Sequence, residues 1–326
     1  MGILKLQGSM FAVGISLFLL ALDSDAQTTF TIATEYPETA MPGEGLNTFA
    51  KAVNKLSNDK LIFTPSFDAR AGYKSSEIVK AVADKKLDAG DAYMPTLSAI
   101  DPLFSLSALP FVATSIDDAR ALMIHSRSAY QDVLNKAGVR WLYSTPWPAS
   151  GIWSSTGLQS NADIKALRIR TYDSVSQAVM QPLTTAAMNV SFADVMPMLK
   201  DGRANAVLSS GDGGAGRKLW DFLPHFTEIN YAIPISVTVI NAALYESLSA
   251  ELKQVIDQAA AQTEAEQWQR IRGRLEENYV RMRANGVNIN TAPNAQLKNS
   301  LIDASKPVIT DWMQKVGTER AKLLLR

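Results

Sequence analysis

The stretch from Ser249 to Ala284 constrains this chain most. Leu252, Val255, Ile256, Ala259, Trp268, Ile271, Leu275, Tyr279 and Met282 recur at three- and four-residue steps, the period of one helical face. Ser249 offers an N-cap hydroxyl, Glu251 sits favourably against the helix dipole, and Gly286 ends the run. A helix of about 35 residues reaches roughly 50 Å. That exceeds one small domain, so the helix is expected to bridge two, with the charged residues of its other face solvated. A length of 326 residues allows two domains.

The N-terminal part reads strand, helix, strand, helix, strand. Thr28 to Thr34 is rich in β-branched residues, Glu44 to Ser57 carries Leu46, Phe49, Val53 and Leu56 on one stripe, and Lys60 to Ser66 is a second strand. Ser75 to Lys86 reads as a helix and Leu87 to Ala92 as a short buried strand. This alternation with short links predicts an α/β fold with largely parallel pairing. Residues 135 to 153 read as a crossover, in which Gly138 to Tyr143 forms a strand broken by Pro146-Trp147-Pro148. Ile235 to Asn241 reads as the strand that returns the chain to the first domain.

The segment 161–207 carries the chemistry. In Leu167-Arg168-Ile169-Arg170 the apolar pair points to one face and the arginines to the other. If the apolar face packs on a core, a guanidinium is held on a rigid element, suited to gripping a carboxylate through two parallel hydrogen bonds.

Several motifs in order resemble the periplasmic solute-binding proteins of tripartite ATP-independent (TRAP) transporters. They are Ala71-Gly72, Glu77 to Val82, Leu87-Asp88, Leu106 to Phe111, Ile164 to Arg170 and Phe192 to Gly202. The resemblance spans roughly residues 29 to 290 and rests on order and spacing. It implies a two-lobed periplasmic-binding-protein fold with a ligand cleft between lobes and a long bridging helix. Lobe I is then expected over 27–150 plus about 235–265, and lobe II over 151–234 plus about 266–326. The implied protein is no enzyme. It binds a small organic acid and hands it to integral-membrane permease subunits; no cofactor and no metal-ligating residue is expected, and whether a metal ion accompanies the ligand stays open. By the same resemblance Arg170 is the carboxylate-binding arginine and Arg168 a replaceable neighbour. Tyr93, Phe192 and Tyr36 are further ligand-binding candidates.

Two departures from the family pattern bear on the ligand. Where relatives carry an asparagine that helps bind the carboxylate, this chain has Ser209-Ser210, and a serine hydroxyl can donate one hydrogen bond. Where sialic-acid-binding relatives carry a second arginine, it has Gly151-Ile152-Trp153, with Trp147 nearby. One cation fewer and an added indole point to a small monocarboxylate, a 2-oxo or 2-hydroxy acid with an apolar or aromatic tail. Asp212 is a candidate acceptor for ligand hydroxyls, although an exposed loop aspartate is the simpler reading.

Gly211-Asp212-Gly213-Gly214-Ala215-Gly216 satisfies the dinucleotide fingerprint G-x-G-x-x-G, whose glycines bring backbone amides against a pyrophosphate. The remaining signature is poor, since Glu228 follows too soon and without a clean second strand. A flexible loop or a cleft-lining segment are the other readings. Balanced charge (32 basic, 32 acidic residues) and the lack of a basic stripe argue against nucleic acid. There is no cysteine, and His125 and His225 lie far apart without metal-ligand spacing. Lys5 followed by the apolar run Met10 to Leu22 and by Ser24-Asp25-Ala26 reads as a secretory signal over residues 1–26. The mature chain is therefore expected in the periplasm. An exported enzyme and a periplasmic sensor subunit on the same scaffold remain alternatives.

Overall fold

The computed structural model describes Gly2 and residues 27–325; the secretory signal expected over residues 1–26 lies, Gly2 apart, outside the described residues. Along the chain, β1 (Thr28–Thr34), β2 (Leu61–Ser66), β3 (Ala89–Tyr93) and β4 (Val139–Pro146) build the first sheet. The chain then crosses to a second sheet through β5 (Ser150–Ser154), β6 (Arg168–Thr171), β7 (Ala186–Asn189), β8 (Ala206–Ser210) and β9 (His225–Thr227). It returns to the first with β10 (Ile235–Asn241) and ends its strands with β11 (Asn288–Asn290) in the second. The orders are β2-β1-β3-β10-β4 and β11-β9-β5-β8-β6-β7.

β1, β2 and β3 pair in parallel, as the alternation of strands and helices requires. The strands next to the crossings do not. β10 is antiparallel to both β3 and β4, and β5 to both β8 and β9. A strand arriving from the other sheet enters from the opposite end, so it pairs reversed, and both sheets are mixed rather than largely parallel.

The long helix spans Ala250–Ala284; Ser249 caps it by accepting from Leu252 N at 3.2 Å, and Gly286 beyond its end takes φ +77°. Val255, Ile256, Ala259 and Ala260 pack in the core under β1 and β2, whereas Tyr279 and Met282 belong to the core of the second sheet. The helix thus joins both lobes. Its buried stripe is not purely apolar: Thr263, Gln267, Arg274 and Asn278 lie in it, and Leu275, expected inside, is 39% exposed. The tail divides as well. Leu297 and Leu301 pack on the second lobe, but Trp312, Ala321 and Leu324 pack with Ile78 and Val237 of the first. The stretch 266–326 therefore does not belong to lobe II alone. Among the described residues, no helix is long and apolar enough to cross a membrane.

Candidate ligand-binding cleft

Both sheets aim the C-terminal ends of parallel strands at the gap between them, the usual place for ligands in open α/β sheets. From the first sheet come Tyr36, two residues after β1, and Tyr93 at the end of β3. From the second come Arg170 and Tyr172 on and just after β6, Ser209 and Ser210 closing β8, and Ser150 opening β5. Trp147 and Pro234, one from each crossing, complete the wall, and Trp147 N donates to Pro234 O at 2.9 Å. With Phe192 and Gly213 these residues line one pocket, whose water-accessible space is about 30 Å³.

Arg170 is 3% exposed, and its only hydrogen bond among the described residues runs from Nε to Val190 O at 2.7 Å. Its guanidinium stands 5.5 Å from the centre of the Phe192 ring. Among the described residues no carboxylate pairs with it. Burial lowers its pKa, partly offset by the tyrosines and Glu35 nearby, so the site is a cation held short of partners. Arg168 shares the strand but reaches outward, donating to Gly202 O at 3.0 Å.

Around Arg170 the aromatic rings form a cage. Tyr36 meets Trp147 edge-on at 4.7 Å and Phe192 at 5.5 Å; Tyr93 meets Tyr172 at 5.3 Å. Trp147 Nε1 donates to Ser236 Oγ at 3.0 Å, which fixes the indole plane. Burial pushes the Tyr36, Tyr93 and Tyr172 hydroxyls well above their ordinary pKa, so they stay neutral and can donate. The pocket offers one positive charge, several hydroxyls and flat apolar walls.

The lobes are clasped over it. Glu35 accepts from Ser75 N of the first lobe at 2.7 Å and from Ala193 N of the second at 2.7 Å, with the Ser191 hydroxyl as a third donor. Lys74 pairs with Asp194 at 2.6 Å, and Arg217 donates to Glu35 O at 3.1 Å. The conformation is closed.

Two expected ligand residues are elsewhere. Trp153 is wholly buried behind the pocket; its Nε1 donates to Ser210 O at 3.1 Å and its ring packs on Phe226. The indole that replaces a second arginine therefore does not line the pocket, whose apolar wall comes from Trp147, Phe192 and the tyrosines. Asp212 is neither exposed nor in a loop. It sits in a short helix, Gly211–Gly216, and accepts from Arg274 Nε at 2.6 Å, Met41 N at 2.8 Å and Asn278 Nδ2 at 3.2 Å. The glycine run is a packing device: a Cβ on Gly214 would fall inside the Trp153 indole, and Gly213 N is already bound to Ser210 Oγ at 3.2 Å. Ser150, Tyr172, Gly213 and Pro234 were not expected. Tyr172 had a signal, since it lies two residues beyond Arg170 and so on the same side of the strand.

A family model for bacterial extracellular solute-binding proteins, family 7, matches residues 32–315. This chain belongs to that family. Among solved structures, two extracytoplasmic solute receptors of Bordetella pertussis described as binding pyroglutamic acid share 26% identity. Their TM-scores are 0.86 and 0.85, over 91% of this chain and 98% of theirs. A marine-metagenome TRAP solute-binding protein described as specific for pyroglutamate shares 25% identity at TM-score 0.86, over 92% of this chain and 98% of that one. The family-7 protein described here is thus a TRAP-type solute receptor with the two-lobed fold of its relatives, and its neighbours are transport receptors rather than enzymes.

Proposed function

We propose that this family-7 protein captures a compact organic acid with one carboxylate in the periplasm and delivers it to integral-membrane TRAP permease subunits. The observation that carries the reading is Arg170, a buried guanidinium in the interlobe cleft with no carboxylate partner among the described residues. An uncompensated buried charge is expensive, and an incoming anion removes that expense. Seven residues expected from sequence, Tyr36, Tyr93, Trp147, Arg170, Phe192, Ser209 and Ser210, line the same pocket. They are proposed as the ligand-binding set.

The proposed cycle is a clamshell in which ligand bridging Arg170 and the first-lobe aromatics shifts an open–closed equilibrium toward closed. The moving units are 27–150 with about 235–265 against 151–234, and the long helix and the tail are shared between them. The pocket's small size and lack of a second cation favour a small monocarboxylate with one further neutral polar group. Pyroglutamate heads the candidates because receptors at 25–26% identity are described as binding it; 2-oxo and 2-hydroxy acids follow.

A thermal-shift series of organic acids tests this on the parent and on Arg170→Ala. Ligand at a hundredfold excess over Kd stabilises by about 2.7 kcal/mol. Carboxylates should stabilise the parent and lose that effect in the variant. Equal shifts in both proteins would remove Arg170 as the anchor.

A further inference from the structure

Glu35 is 2% exposed and lies beside the pocket, on the wall of an adjoining hollow that shares Tyr36, Arg170, Tyr172 and Phe192 with it. One carboxylate oxygen accepts at 2.7 Å from Ser75 N, at the start of the first-lobe helix Ser75–Ala83. The other accepts from Ala193 N at 2.7 Å and from the Ser191 hydroxyl, both of the second lobe. A carboxylate that accepts on both oxygens forms the stronger, charge-assisted kind of bond. The main chain around it is held too. Tyr36 O accepts from Asp68 N at 3.0 Å, and Glu35 O accepts from Arg217 of the second lobe at 3.1 Å.

On both sides this contact sits one residue from the pocket wall. Glu35 precedes Tyr36, and Ser191 and Ala193 flank Phe192. The Tyr36 and Phe192 rings line the pocket and meet at 5.5 Å, and Arg170 stands 5.5 Å from the same phenylalanine. A ligand held by Arg170 and resting on those rings therefore fixes both backbones that Glu35 joins. When the cleft opens, the second-lobe donors leave Glu35 for water, while the Ser75 bond stays within its lobe. Resting on the reading of Arg170 as carboxylate anchor, we propose that Glu35 is a positioning residue that holds the lobes shut over a bound acid. It sets how slowly the acid leaves and does not choose which acid binds. Its negative charge acts the other way, because a carboxylate beside the pocket repels an anion. Removing the charge alone tightens binding; removing the clasp loosens it.

Stopped-flow tryptophan fluorescence with pyroglutamate and with lactate tests this on the parent, Glu35→Gln and Ser191→Ala. Glutamine keeps the shape but has one acceptor oxygen, so its amide nitrogen must face the Ser75 or the Ala193 N–H. Dissociation should quicken about tenfold in Glu35→Gln and about threefold in Ser191→Ala. Both factors should be the same for the two acids, with association unchanged. The unliganded melting temperature should move little, since in an open cleft glutamine can still accept from Ser75 N and water serves the second lobe. A purely structural role would instead lower that temperature and leave dissociation at the parent rate. An unchanged or slower dissociation in Glu35→Gln overturns the proposal, and so does a change confined to one acid, which would put Glu35 on the ligand itself. Arg170→Ala separates the two readings. If it abolishes binding while Glu35→Gln keeps the parent rates, only the role of Glu35 fails. If neither acid binds the parent, both readings fall.

Discussion

Arg170 and Arg274 are buried to a similar depth, 3% and 6% exposed, yet the fold provides for them in opposite ways. Arg274 is surrounded by acceptors: Asp212 at 2.6 Å, Glu44 at 3.2 Å, Glu277 at 3.4 Å and Thr39 O at 2.5 Å. Burial works to lower its pKa, but the Asp212 and Glu44 charges outweigh that and hold it above its usual value. For Arg170 burial prevails and the pKa falls. One arginine is a finished strut joining the long helix to both lobes. In the proposed function the other is half of an ion pair whose second half comes from solution.

The comparison predicts opposite mutant phenotypes. Arg274→Met leaves Asp212 buried with only Met41 N and Asn278 as donors, and the expected loss of unfolding free energy is about 3–5 kcal/mol. Urea denaturation of the unliganded protein measures it. Arg170→Met should leave that same urea midpoint unchanged or raise it, because it removes an unpaired buried charge, while costing about 2–5 kcal/mol of acid-binding free energy by calorimetry. If the two phenotypes were exchanged, the assignment of strut and socket would be reversed.

Asp91 shows a third way to treat a buried charge. It is wholly buried in the first sheet, with Thr34 Oγ1 at 3.1 Å and Thr238 Oγ1 at 3.5 Å but no cation. Burial pushes its pKa up to about 7, against the lowering effect of those hydroxyls. The folded state therefore holds the proton more tightly than the unfolded chain, whose Asp titrates near 3.8. The stability this gives is complete below about pH 4 and lost as pH rises toward 7. Asp91→Asn should remove that loss, so its stability relative to the parent rises between pH 4 and 7 by on the order of 2–4 kcal/mol. Melting curves across this range check the sign; a variant that becomes relatively weaker with rising pH would contradict it.

What was legible in the sequence follows the same division. Arg170 could be found because alternation on a four-residue strand and the run of motifs around it are local. Tyr172 obeys the same alternation, but the strand was read as ending at Arg170. Trp153 was misplaced because a position in a motif does not say which face of β5 it takes, and Gly214 makes room for its indole on the core side. Asp212 could not be read at all, since its partners lie 62, 66 and 171 residues away. The long helix was clear in extent, cap and most of its buried face, and the reading failed at one turn. Arg274 faces inward and Leu275 is half exposed because the strut, not hydrophobicity, fixes that turn.

The smallest expected effect belongs to Lys74 and Asp194, which join the lobes at the mouth of the cleft at 2.6 Å with side chains 43% and 46% exposed. Asp194 raises the Lys74 pKa through their hydrogen bond, yet water competes at both ends of the pair. Exposed pairs contribute about 0.2–1 kcal/mol, and salt screens them. In the proposed clamshell this contact forms only when the lobes close, so its loss should appear in ligand affinity and hardly in unfolding. Lys74→Met should weaken acid binding no more than about fivefold at low salt, and the difference from the parent should shrink as salt is added. A loss as large as that of Arg170→Met, insensitive to salt, would mean that the charge on Lys74 reaches the ligand itself, and the socket would then hold two cations rather than one.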